Sequence, residues 1–131
     1  MTNHAKGTFD VKLAPEEDKS AESVMGRMTI EKQFYGDMEG TSKGLMLMVS
    51  TVVTGSAGYV ALEKVNASIS GRSGTFYLQH NGIMNRGEGL LNVVVVPDSG
   101  TNELTGLKGS LKITIEKGKH FYDLEYEIKT E

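Results

Sequence analysis

Eight stretches of this 131-residue chain alternate apolar and polar residues with a period of two, and glycine-rich turns cut them apart. That periodicity puts successive side chains on opposite faces of a pleated strand, so each stretch has one face to bury. No stretch carries the 3.6-residue period of a long helix. Most intervening segments are short, so strands adjacent in sequence can pair. A meander closed on itself also leaves no open edge to aggregate. The expected fold is therefore all-β, a closed eight-stranded antiparallel barrel with one short helical turn before the last hairpin.

The strands are expected at Gly7–Leu13, Met25–Tyr35, Met38–Val53, Ala57–Ser70, Thr75–Met84, Leu90–Val96, Ser110–Glu116 and Lys119–Ile128. Glycines 40 and 44 inside the long third stretch suggest a bend or bulge. The polar segment Ala14–Ser23 reads as a surface loop, with the loop region taken as residues 14–24. His4 falls in a terminus expected to fray. In Asp98–Gly109, Thr101 is placed to cap a helical turn that Gly106 ends, and Leu104 with Leu107 would close one end of the barrel. The whole chain, 1–131, is one domain with an ordered core over 7–128.

Composition narrows the function classes. Cysteine is absent, which removes disulfides and thiolate chemistry. The formal net charge of -3, without a basic run, disfavours nucleic acid as a partner. The apolar blocks are too short for a membrane-spanning helix. With no leader-like apolar run near Met1, a cytoplasmic location is expected. The three histidines are widely spaced and no acidic loop has the calcium pattern, so no metal is expected. The glycine-rich segments lack phosphate-cradle spacing, so no cofactor is expected either.

The candidate chemistry centres on His80 and Glu63. Strand alternation puts Phe76, Leu78, His80 and Gly82 on one face. Glu63 interrupts an apolar face made of Tyr59, Ala61, Val65, Ala67 and Ile69. A histidine with a carboxylate partner can act as acid or base near neutral pH, so His80 and Glu63 are the candidate catalytic pair. Register decides whether they meet, because a slip of one residue reverses every face. Glu63 either sits in the lumen, paired with Arg72, Lys32 or a tyrosine hydroxyl, or is solvated with Val60 and Leu62 turned inward. His80 is either half of that pair or a structural hydrogen-bonding group at the barrel mouth. Tyr59, Tyr77, Gln79 and Arg72 are the candidate ligand-binding residues.

The stretches Gly26–Phe34 (GRMTIEKQF), Thr54–Tyr59 (TGSAGY), Gly74–His80 (GTFYLQH) and Val96–Leu107 (VPDSGTNELTGL) carry a family resemblance. Through them the chain resembles a bacterial family catalogued as a domain of unknown function, related in fold to allene oxide cyclase. The resemblance covers Gly7 to Ile128. It implies an eight-stranded barrel that commonly self-associates. It does not imply the cyclase reaction on a fatty-acid epoxide, and it carries over no functional residues.

Three functions follow as expectations. The preferred one is non-enzymatic, the binding of a small apolar or amphipathic molecule in or at the mouth of the barrel; the methionines and tyrosines suit such a lumen. The second is a cofactor-free isomerase or cyclase using His80 and Glu63. The third is a structural or protein-interaction module with an apolar outer patch around Leu45–Val53. A homo-oligomer is expected, a dimer before a trimer.

Overall fold

The computed structural model describes residues 2–15 and 25–129. It is a closed barrel in which every strand pairs antiparallel with its neighbours in sequence, and β8 returns to β1. The strands are β1 (Asn3–Pro15), β2 (Gly26–Gly36), β3 (Met38–Ser50), β4 (Ala57–Ile69), β5 (Arg72–Asn85), β6 (Glu88–Val95), β7 (Leu107–Glu116) and β8 (Lys119–Ile128). A single 3-10 turn, Asn102–Leu104, lies between β6 and β7. No helix among the described residues is long and apolar enough to cross a membrane.

The expected closed barrel is what the chain forms, and the alternation that predicted it fixes the faces. Val65, Phe76, Leu78 and Leu124 are completely buried inside. Three hairpins turn on pairs of residues with positive φ: Ser70-Gly71, Arg86-Gly87 and Lys117-Gly118. Such pairs match the twist of the strands they join.

Several sequence expectations are corrected. β1 begins at Asn3, and His4 is held in the sheet opposite Glu125, with its Nδ1 2.8 Å from Asp123 Oδ1. Of the expected 14–24 loop, Ala14 and Pro15 instead end β1, Met25 follows it, and residues 16–24 lie outside the described residues. β3 stops at Ser50 and contains no bulge, since its ladders with β2 and β4 run in unbroken register. Thr101 does not cap the 3-10 turn with its side chain. Its hydroxyl accepts a hydrogen bond from the Thr75 backbone N–H at 2.9 Å, tying the segment to β5.

Among the described residues the barrel is filled at one end and open at the other. Leu104 and Leu107, both buried, stopper the filled end above Phe76, Met38 and Ile69. At that end the Tyr122 hydroxyl accepts a hydrogen bond from the Met38 backbone N–H at 2.9 Å and lies 2.9 Å from the Tyr35 carbonyl oxygen, to which it can donate. This pins β8 to the β2–β3 turn. Toward the other end the side chains thin out. The ladder between β6 and β7 has one registered pair, Val94 with Ser110, so beyond it the two strands are not laced together.

Candidate functional site

Glu63 is the middle residue of β4 and is completely buried. A lone ionised carboxylate there would be untenable, and its neighbours show how it is kept. Lys32 of β2 places Nζ 2.8 Å from Glu63 Oε1. His80 of β5 brings Nε2 to 2.5 Å from the same oxygen. Ser42 of β3 donates its hydroxyl to Oε2 at 2.5 Å. Four successive strands thus each contribute one inward side chain to a single cluster. Register dictates this: Lys32 lies opposite Ser42, and His80 lies opposite Ala61, one inward position from Glu63.

Local sequence makes room for the cluster. Gly44 pairs with Glu63, and a Cβ on it would lie 2.3 Å from the Leu62 carbonyl oxygen and 2.7 Å from Glu63 Cβ. Gly44, one of the two glycines expected to mark a bend or bulge, gives clearance to the carboxylate-bearing strand. Gly82 does the same for Tyr59, whose ring edge would sit 2.2 Å from an added Cβ.

Burial pushes the Glu63 carboxyl up, but the hydrogen bond from His80 and the charge of Lys32 outweigh it and hold the group at about 2. Glu63 is therefore an anion at neutral pH. An ionised carboxylate has no proton to give, so the proton in the short contact with His80 sits on Nε2. When the ring is neutral, Nδ1 is then its free acceptor. The Lys32 ammonium also lies over aromatic faces, 5.0 Å from the Phe9 ring centroid and 5.9 Å from that of Phe34.

Above this cluster opens a cavity of about 640 Å³. Lys32 and His80 reach it from below, and its walls are Phe9, Val11, Ile30, Met46, Met48, Ile113 and Tyr59. Its rim carries Ile83, Leu90 and Ile115, each at least 60% exposed. Among the described residues its polar side chains are Lys32, Tyr59, His80 and His120. Burial, and secondarily the nearby Glu63 charge, raise the Tyr59 hydroxyl above its ordinary range, which keeps it a neutral donor. No group of three or more His, Asp or Glu side chains suited to holding an ion occurs among the described residues.

Of the residues singled out from sequence, the barrel brings Glu63, His80 and Tyr59 together. It does not bring in the others. Tyr77 and Gln79 alternate with Leu78 and His80 and so point outward, into a groove on the outer wall beside Leu45, Leu47, Val60 and Leu62. Arg72 is exposed at the start of β5, facing Ile69 next to the turn, far along the strand from His80. Lys32, one of three partners foreseen for Glu63, is the one it takes. Sequence reasoning missed Ser42 and His120. His120 shares the inward parity of Tyr122 and Leu124, a signal available in the alternation; Ser42, between two glycines, gave none.

A family model described as a protein of unknown function, DUF3224, matches residues 5–126. The chain belongs to the DUF3224 family. A DUF3224 protein of unknown function from Shewanella oneidensis MR-1, solved by crystallography, is 46% identical over 100% of both chains, with a TM-score of 0.93. No curated protein matches. The family and this relative bear out the expected domain-of-unknown-function resemblance; neither carries the allene oxide cyclase label.

Proposed function

We propose that this protein binds a small apolar or amphipathic molecule in the open half of the barrel. The observation that carries this reading is the cavity itself: about 640 Å³ of space walled by apolar side chains, over a floor of buried polar ones. That volume falls within the range of small-molecule sites, and the combination of apolar walls with a few converging polar groups is their usual chemistry. A barrel evolved only for stability would fill both ends, since empty apolar space forfeits packing at roughly 24 cal/mol per Å³. The uncharged fluorophore N-phenyl-1-naphthylamine tests the reading. Saturable fluorescence enhancement at about one probe per chain is expected, abolished when Ala57→Trp fills the mouth. Absence of saturable binding by the wild-type protein contradicts it.

The Glu63–His80 pair supports a second reading, a cofactor-free isomerase in which the His80 ring moves a proton. An oriented imidazole beside a carboxylate, facing an apolar-walled cavity, is suited to general acid–base chemistry. His80→Gln removing turnover of an identified cavity ligand would establish it; undiminished turnover would dismiss it.

We also propose self-association through the outer wall, into a dimer. Leu45, Leu47, Val60 and Leu62 form one patch across β3 and β4, each at least 40% exposed. A contiguous exposed apolar patch often serves an interaction.

A further inference from the structure

We propose that the cavity ligand carries an anionic head group, a carboxylate or sulfonate on an apolar body, seated on Lys32 and His80. This rests on the cavity being a binding site, and adds the chemical class of what fills it.

The hydrogen-bonding inventory points this way. Among the described residues the carboxylate beneath the cavity is Glu63, and it is already engaged on both oxygens by Lys32, His80 and Ser42. Lys32 has three N–H donors and gives one to Glu63, so two remain for a ligand. Tyr59 adds a hydroxyl, and among the described residues no acidic side chain lines the space. A cationic head would meet the Lys32 ammonium while the Glu63 carboxylate is already taken up by its own partners, and a donor-only head would find few acceptors.

Charge balance adds a condition: with a neutral imidazole Lys32 and Glu63 already cancel, so a bound anion calls for one proton more. With His80 protonated, the cluster holds one anion and two cations in an interior that penalises net charge. An anionic head makes it neutral. Binding of an anion is therefore coupled to proton uptake by an imidazole. Among the described residues, the titratable groups facing His80 are Lys32 from β2, Glu63 and Tyr59 from β4, and His120 from across the cavity on β8. Between pH 6 and 8 only the imidazoles are of a type that changes charge there unaided. His80, in direct contact with Glu63, is the one the balance calls for.

The test compares two probes of similar body, 8-anilinonaphthalene-1-sulfonate and the uncharged N-phenyl-1-naphthylamine, on the wild-type chain at pH 6, 7 and 8. The sulfonate is expected to tighten as pH falls while the uncharged probe does not change. His80→Gln should remove that pH dependence, and His120→Gln should leave it. The double variant Lys32→Met/Glu63→Gln, which deletes one charge of each sign and so spares the fold an unpaired ion, should lose at least about tenfold more affinity for the sulfonate than for the uncharged probe. Uncharged-probe binding with a sulfonate affinity that ignores pH overturns the head-group assignment and leaves the cavity reading standing. Sulfonate binding unchanged in the double variant also overturns it, placing that probe on the outer groove beside Lys43 and Lys64. If neither probe binds, both inferences fall together.

Discussion

Lys32 Nζ reaches Glu63 Oε1 at 2.8 Å although their strands are not neighbours. β3 runs between them, and it presents inward only Ser42 and two glycines at this level. The small side chains of β3 are therefore what allow an ion pair to bridge β2 and β4 inside the barrel.

Breaking that pair from one side leaves a buried charge alone. Lys32→Met is expected to cost about 3–5 kcal/mol of stability. Lys32→Met/Glu63→Gln should cost less than the sum of the two single variants by at least about 1 kcal/mol. Urea denaturation of the four proteins measures the coupling. Additive costs would mean that the two groups do not act as a unit.

Acid should weaken the fold through Glu63. Its carboxyl lies at about 2 in the folded chain against an ordinary 4.5. Because the folded value is the lower, the stabilisation is fully present above the ordinary value and is lost as pH falls toward 2. Its size is on the order of 3 kcal/mol. The gap in unfolding free energy between wild type and Glu63→Gln should therefore narrow between pH 6 and pH 2.5. A gap that stays constant or widens on acidification would contradict the assigned ion pair.

The Tyr59 ring lies across the bare Cα of Gly82. Gly82→Ala should displace the ring into the cavity, cost about 1–3 kcal/mol and weaken N-phenyl-1-naphthylamine binding. In a Tyr59→Ala background the same substitution should cost much less, because the atom it collides with is gone. Equal costs in both backgrounds would show that the ring is not seated there.

β8 offered Phe121 on one parity and Tyr122 on the other, so its face stayed open, while the faces of β1, β5 and β7 were legible in the sequence, because their alternation admits one buried parity. β4 was not. Both of its faces are apolar, with Val60 and Leu62 on one and Val65, Ala67 and Ile69 on the other, so Glu63 had no local reason to be inside. What decides it is Lys32, 31 residues earlier in the chain, and that contact exists only once the sheet has closed. Tyr77 and Gln79 are the converse case. Their parity, opposite to that of His80, already placed them on the outer wall, and the chemistry of their side chains outweighed it in the selection of ligand-binding candidates. Nothing local to Gly40–Gly44 separates a bend from clearance for a neighbour's side chain, because both demand a residue without Cβ.

The outer patch gives a separate prediction. Light scattering should find the wild-type chain as a dimer. Leu45→Glu/Leu62→Glu should be monomeric, with N-phenyl-1-naphthylamine affinity unchanged, since these side chains lie outside the barrel wall. A wild-type monomer would dismiss self-association through this face.

The methionines offer the most direct test of a barrel filled at one end and receptive at the other. Met46, Met48 and Met84 line the cavity, whereas Met38 is sealed in the filled end. Methyl NMR of methionine-labelled protein titrated with N-phenyl-1-naphthylamine should move the Met46, Met48 and Met84 signals together and leave Met38 in place. Signals that all stay still, or a Met38 shift as large as the others, would contradict the account.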